Sequence, residues 1–339
     1  MKPFLQSFIL LIFALIVKQA AFAQQQVTRM FRVYEDNDFI NIRGKGTDNA
    51  YTNGTRFDLF YTKNKASRFV IDRNMPKAGD SSINIYGWGL MQAMFTPNDI
   101  TKTAYQPDDY PYSGALFATH TLYSYNPREK YSFETELVLG VMGPAAFAKQ
   151  TQVFLHRLIH YQRPMGWANQ LGNDPLININ FTAEKKITAL KQWVEVIGGA
   201  QVFYGTMMNG VTIYPLIRIG KMTPYFNGYI SQYTTGDQKA TKRRRGVQAY
   251  FIIKPEAEFI FTNSLLEGGL FANNTYEDNG KSITKKPYND LQKIVYSLNF
   301  GAVVASGNFS ISFIQNSSSA MMKGTYSHEV GNISMYFSW

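Results

Sequence analysis

The C-terminal stretch Gly331 to Trp339 (GNISMYFSW) constrains the fold of this chain more than any other feature. Ile333, Met335, Phe337 and Trp339 fall on one face of an extended segment, and Asn332, Ser334, Tyr336 and Ser338 fall on the other. That is the period of two of a strand with unlike faces. A soluble sheet shows the same alternation, but a neutral polar face and a terminal aromatic fit the closing strand of an outer-membrane barrel. The pattern recurs. Thr55, Phe57, Leu59 and Tyr61 alternate with Arg56, Asp58 and Phe60. In Tyr131 to Val141, Glu134 and Glu136 share one face, while Phe133, Leu137 and Leu139 share the other. Similar material lies near 28–40, 82–95, 112–124, 176–184, 192–204, 209–221, 247–262, 264–276, 291–305 and 307–317. This is about a dozen strands with one surplus, and a single-chain bacterial barrel closes on an even number. The expectation is an all-β transmembrane barrel of about twelve antiparallel strands. No linker or composition shift divides it.

The N-terminus reads as an export signal. Lys2, the apolar run Phe8 to Val17 (FILLIFALIV) and the ending Ala20-Ala21-Phe22-Ala23 form a signal peptide over 1–23, leaving 24–339 as the barrel domain. The run is shorter than the about 20 residues a helix needs to cross a bilayer, and Gln24-Gln25-Gln26 follow at once. The chain holds 22 Tyr, 25 Phe and 26 Gly, only 17% charged residues and no Cys. Aromatic girdles call for Tyr and Phe, and without cysteine no disulfide can support an exported soluble fold. The formal charge of +10 gathers in loop-like runs such as Lys242-Arg243-Arg244-Arg245 and Lys281 to Lys286. Anionic headgroups or phosphorylated sugars are its natural counter-charges at a membrane surface, and nucleic acid is not expected. A monomer is the expected state.

With a periplasmic N-terminus, odd strands run outward. Asn37-Asp38, the loop Gly44 to Asn49, the strand start Tyr51-Thr52-Asn53-Gly54, and Thr96 to Asp109 with Lys102 then share the external rim. Pro144 to Tyr161 (PAAFAKQTQVFLHRLIHY) breaks the strand pattern, lacks internal Gly or Pro after its start, and reads as a short external helix. Gln152 and His156, spaced i,i+4, share one face of it.

An imidazole near its free pKa can take a proton from water, and Gln152 can hold substrate or orient that water. On spacing alone His156 reads equally as a loop-packing histidine, and His160 lies one turn further along the same stripe. Glu35-Asp36-Asn37-Asp38 supplies three carboxylates and an amide at a strand end. Such hard oxygen donors favour Ca²⁺ or Mg²⁺, although an acidic loop needs no ion. Lys102 can meet a phosphate or simply be solvated. No GxSxG elbow, HExxH, P-loop or Cys/His metal spacing is present, which removes serine-esterase, zinc-protease and nucleotide-hydrolase readings.

These pieces together resemble a known family. DNDF at 36–39, YTNG at 51–54, FTP at 95–97, DDYPYSG at 108–114, GPAAFAKQTQVFLH at 143–156 and GWANQL at 166–171 resemble, in order, the outer-membrane lipid A 3′-O-deacylases, the LpxR-like proteins. The resemblance implies a twelve-stranded barrel. It also implies a calcium-dependent esterase that removes the 3′-linked acyloxyacyl group from lipid A of lipopolysaccharide in the outer leaflet. It gives His156 the role of general base, Asn37 and Asp38 the calcium and oxyanion region, and Thr52 a place beside them. Gln152 becomes the helix glutamine and Lys102 a substrate contact. Three positions depart from the family pattern: Gln162 stands where an acidic residue is expected, Thr103 where a basic one is, and Tyr110 where an arginine is. The competing readings are an outer-membrane phospholipase and a non-enzymatic porin-like barrel. Only an enzyme requires a tight cluster of Asn37, Asp38, Thr52 and His156 with a plugged or narrow lumen.

Overall fold

The computed structural model describes residues 27–44, 48–190, 193–235, 246–271, 275–278, 281–284 and 290–339. Residues 1–23, read from the sequence as a signal peptide, the basic run Lys242 to Arg245, and Lys285 and Lys286 lie outside the described residues.

The strands in chain order are β1 (Arg29–Asn37), β2 (Ala50–Thr62), β3 (Ile83–Thr96), β4 (Ser113–Asn126), β5 (Tyr131–Met142) and β6 (Asp174–Leu190). They continue with β7 (Val194–Gly205), β8 (Met208–Lys221), β9 (Gln248–Asn263), β10 (Thr275–Asp278), β11 (Lys281–Thr284), β12 (Ile294–Ser306), β13 (Phe309–Ser318) and β14 (His328–Ser338). Strands β10 and β11 form a separate hairpin, and the other twelve close into one antiparallel barrel. The patterned C-terminal segment makes the closure, with Phe31 opposite Phe337 and Val33 opposite Met335. Trp339 completes the seam, its N–H donating to the Arg29 carbonyl at 2.9 Å.

The surplus segment of the sequence reading is 264–276. It leaves the barrel as a one-turn helix because the Asn263 side chain accepts the Leu265 N–H at 3.1 Å and caps it. Leu265 and Leu266 are then buried under the mouth. The described α-helices are α1 (Val70–Asn74), α2 (Ala148–Leu158), α3 (Tyr229–Gln232) and α4 (Ser264–Glu267).

Alternation along the strands separates two environments. Phe57, Leu59, Trp88, Leu90 and Leu139 are exposed on the outer wall. Arg56 faces inward, pairing with Asp58 at 2.8 Å and Glu136 at 2.5 Å. Such a polar interior is stable only when its charges are paired.

The far end of the lumen is filled by the segment after β8. Tyr233 stacks on Tyr336 of β14 at 3.8 Å, and Tyr229 meets Phe60 of β2 at 4.8 Å and accepts a hydrogen bond from Arg32 of β1 at 3.0 Å. Tyr225 donates to Glu184 of β6 at 2.8 Å, and Gln248 of β9 donates to the Ser231 and Thr234 carbonyls at 3.0 and 2.7 Å. A segment anchored to strands on all sides of the barrel crosses its lumen.

Candidate active site

The ends of β1, β3 and β5 and the starts of β2 and β4 meet at one rim, the mouth opposite the plug. Asp38 directly follows β1 and is 2% exposed. Its N–H donates to the Thr52 carbonyl at 3.2 Å, and its carboxylate accepts the Asn49 N–H at 2.8 Å. Thr52 is the extra residue of a bulge, since Tyr51 and Asn53 pair with consecutive residues of β3. Bulges re-aim side chains at functional rims, and here the Thr52 hydroxyl meets that of Thr96 at 2.6 Å. The Asn37 side-chain oxygen accepts the Phe39 N–H at 2.8 Å, which turns the chain away from the sheet.

The expected helix over 144–161 is interrupted. Pro144–Ala146 form a 3₁₀ turn, Phe147 takes a left-handed conformation at φ 58°, and α2 then runs from Ala148 to Leu158. Gly143 makes this exit from β5 feasible. Its φ is 87°, and a Cβ there would lie 2.4 Å from the Gly172 carbonyl oxygen. The helix is turned inside out for a water-facing element. Gln152 and His156 are buried, while Phe154, Leu155, Leu158 and Ile159 are exposed.

Gln152 accepts the Trp167 indole N–H at 2.6 Å and donates to Asp48 at 3.2 Å. His156 Nδ1 meets the Gln162 backbone carbonyl at 2.5 Å, and its Nε2 faces the Asp48 carboxylate at 3.3 Å. The Tyr161 ring lies edge-on to the imidazole at 5.2 Å, and Phe39 packs against Tyr161 at 6.5 Å. Asp48 therefore ties Gln152 and His156 to the loop that follows Asp38.

Burial disfavours charge on His156, but the Asp48 hydrogen bond, the Gln162 carbonyl and the Asp48 charge outweigh it and hold the pKa above the ordinary imidazole value. Burial, and then the negative charge of Asp48, push the Asp38 carboxyl well above the usual carboxylate range. Among the described residues no three His, Cys, Asp or Glu groups are arranged as a metal site. The donor chemistry nevertheless fits a hard cation. Asp38 and Asp48 are repelling carboxylates, and Asp38 has no ion-pair partner among the described residues. Calcium completes its shell with amide and carbonyl oxygens and water, and the Asn37 side-chain oxygen stands one residue away.

Gln152 and His156 thus meet at Asp48, next to the Asn49 N–H that Asp38 accepts, and Thr52 joins Asp38 through its carbonyl; the Asn37 side chain turns instead to the Phe39 N–H and Glu35. Lys102 stands at the edge of the rim: the ammonium is exposed and reaches Asp99 at 3.4 Å, while its carbonyl borders Gly166. Motif and spacing missed Asp48, and Trp167, although inside GWANQL at 166–171, was given no role. Asp48 lies in an aperiodic loop 104 positions from Gln152, and only its carboxyl type within the external loop offered a signal. The three departures also find places. His156 uses the backbone of residue 162, not its side chain. Thr103 contributes its carbonyl to Asn169 at 2.8 Å. Tyr110 is buried, and its hydroxyl accepts the Met321 N–H at 3.0 Å, holding the loop before β14.

The family of outer membrane protein LpxR matches residues 8–339 of the sequence. The chain belongs to the LpxR family. The match extends through the second half, where the motifs that carry the resemblance are absent. The solved structure of LpxR from Salmonella typhimurium is similar over 91% of this chain and 99% of that one, with a TM-score of 0.69 at 16% identity. The β domain of the Bordetella autotransporter BrkA is similar over 93% of this chain and 100% of that one, with a TM-score of 0.43 at 9% identity. No curated protein matches the chain. Family and closed barrel together place this LpxR-family protein in the outer membrane as a multi-pass β-barrel.

Proposed function

We propose that this protein is a calcium-dependent lipid A 3′-O-deacylase, a carboxylic ester hydrolase that uses a histidine-activated water. Membership of the LpxR family supports a lipid-A-modifying outer-membrane enzyme in general. The observation that carries the finer reading is the helix α2, which buries the polar Gln152–His156 face against Asp48 and exposes an apolar face at the barrel rim. A site for an ester at a membrane surface needs both: a dry polar centre for chemistry and an apolar margin where acyl chains stay in lipid.

The Gln162 carbonyl accepts the Nδ1 proton of His156, which leaves Nε2 as the basic nitrogen. A water attacks the ester carbonyl carbon as its proton passes to Nε2. Asp48, facing that nitrogen, stabilises the imidazolium formed. Nε2 then returns the proton to the departing sugar oxygen, and the acyl group leaves as a carboxylic acid. Asp38, Asp48 and the Asn37 side-chain oxygen would hold a calcium ion, which supplies Lewis-acid stabilisation of the developing oxyanion. Gln152, held by Trp167, positions water or substrate. Lys102, exposed at the rim, would meet a lipid A phosphate.

Incubating the purified protein separately with lipid A and with a diacyl phospholipid tests the substrate class. Release of the 3′-linked acyloxyacyl group from lipid A is the expected outcome. Fatty-acid release from the phospholipid alone would assign an outer-membrane phospholipase instead.

A further inference from the structure

Residues 63–82, between β2 and β3, do not form a tight turn. They fold over the outer wall near the end of the barrel opposite the active-site mouth. Met75 is buried against Tyr86 and Leu122, the Ala78 N–H donates to Ser124 Oγ at 2.9 Å, and Asn126 donates to the Ala78 carbonyl at 3.0 Å. Tyr86 lies on the same outward face of β3 as the exposed Trp88 and Leu90. The segment therefore lies on the lipid-facing side, not in the lumen.

A buried polar clasp fixes it there. Asp72 is 1% exposed and accepts from Lys63 at 2.9 Å, with His120 Nε2 at 2.6 Å. His120 in turn packs on Trp88 at 4.2 Å and on Phe69 at 5.5 Å. The outer surface of the segment is apolar and cationic. Phe69, Val70 and Ile71 are exposed, Val70 to 65%. Lys65, Arg68 and Arg73 are exposed and make no ion pair among the described residues, and the one carboxylate over 63–79 is the buried Asp72.

We infer that residues 63–79 form a membrane-interface strap that binds anionic phospholipid headgroups in the leaflet opposite the mouth. Phe69, Val70 and Ile71 enter the apolar boundary of that leaflet, continuing the lipid-facing surface of Trp88 and Leu90. Lys65, Arg68 and Arg73 meet headgroup phosphates. An apolar patch flanked by cations is the composition that holds a segment in a bilayer interface. Continuity with the barrel wall selects a bilayer over a soluble partner as the occupant. This is independent of the chemistry at the mouth.

The absence of cysteine allows a direct test on the whole barrel. Val70→Cys carries a single polarity-sensitive fluorophore, and the protein is placed in nanodiscs of phosphatidylethanolamine with or without phosphatidylglycerol. The label is expected to emit as in an apolar medium and to resist a water-soluble quencher. Retained lipid, read by native mass spectrometry, is expected to be enriched in phosphatidylglycerol. Each of Lys65→Gln, Arg68→Gln and Arg73→Gln reduces that enrichment by about fivefold, the equivalent of about 1 kcal/mol per cation. Raising the salt on the unaltered protein reduces it as well, which keeps the test valid if a variant fails to fold. Free quenching of the label by water-borne quencher overturns the strap. Enrichment that salt does not reduce, or that inorganic phosphate abolishes at constant ionic strength, overturns the headgroup site.

Discussion

At the scale of single residues, the proposed chemistry depends on how His156 is held. Its Nδ1 uses the carbonyl of residue 162, so the Gln162 side chain is dispensable for orientation. His156→Ala is expected to lower kcat by about 10²- to 10⁴-fold, the usual contribution of a general base. Gln162→Ala is expected to leave kcat near the unaltered value, and steady-state kinetics on lipid A checks both. The pH dependence follows from the same contacts. The base must be neutral, so kcat/KM should rise with pH as His156 loses its proton; the Asp48 and Gln162 contacts raise that pKa, and a cation held by Asp48 would offset part of the rise. Asp48 and the Tyr161 ring face the imidazole, and Asp38 acts behind Asp48. Asp48→Asn removes the charge that favours imidazolium, so the acidic limb should move to lower pH while the maximal rate falls. An unmoved limb would sink Asp48 as the partner of His156. The i,i+4 pairing of Gln152 and His156 was legible in the sequence because helix geometry alone places them on one face. Asp48 was not, because a loop residue has no period and its contacts cross over a hundred positions, 104 of them to Gln152.

At the scale of elements, the sequence specified that a helix follows β5 but not where it breaks. A left-handed residue at Phe147 leaves no trace in an alternating or helical pattern, and Gly143 marks the exit only once its neighbour Gly172 is known. Gly143→Ala is expected to misplace α2, because a Cβ at positive φ costs about 1 kcal/mol or more and this one also meets a backbone carbonyl. Deacylation should fall sharply while the barrel keeps its heat-dependent gel mobility. Trp167→Phe removes one hydrogen bond to Gln152, worth about 0.5–1.5 kcal/mol, and should slow the reaction less than Gln152→Ala does. Kinetics of the two variants side by side measures the difference. The surplus strand at 264–276 failed for a local reason: Asn263 caps a helical turn, and its apolar leucines face the mouth instead of lipid.

At the scale of the whole molecule, strand number, closure and the shared rim were legible because period two and an even strand count leave few alternatives. The plug was not. Tyr225, Phe226, Tyr229 and Tyr233 follow no strand period, and only the enclosing lumen makes them a core. The segment crossing the far end of the lumen fits an enzyme better than a porin, and planar-bilayer recording should show no open-pore conductance. A stable large conductance would contradict the plug. The most direct test of the account is mass spectrometry of lipid A incubated with the detergent-solubilised protein in Ca²⁺, in chelator, and with His156→Ala in Ca²⁺. Loss of the 3′-acyloxyacyl mass with the unaltered protein in Ca²⁺, and in neither other condition, is the predicted result. Intact lipid A after incubation with correctly folded protein, or equal cleavage by His156→Ala, would contradict it.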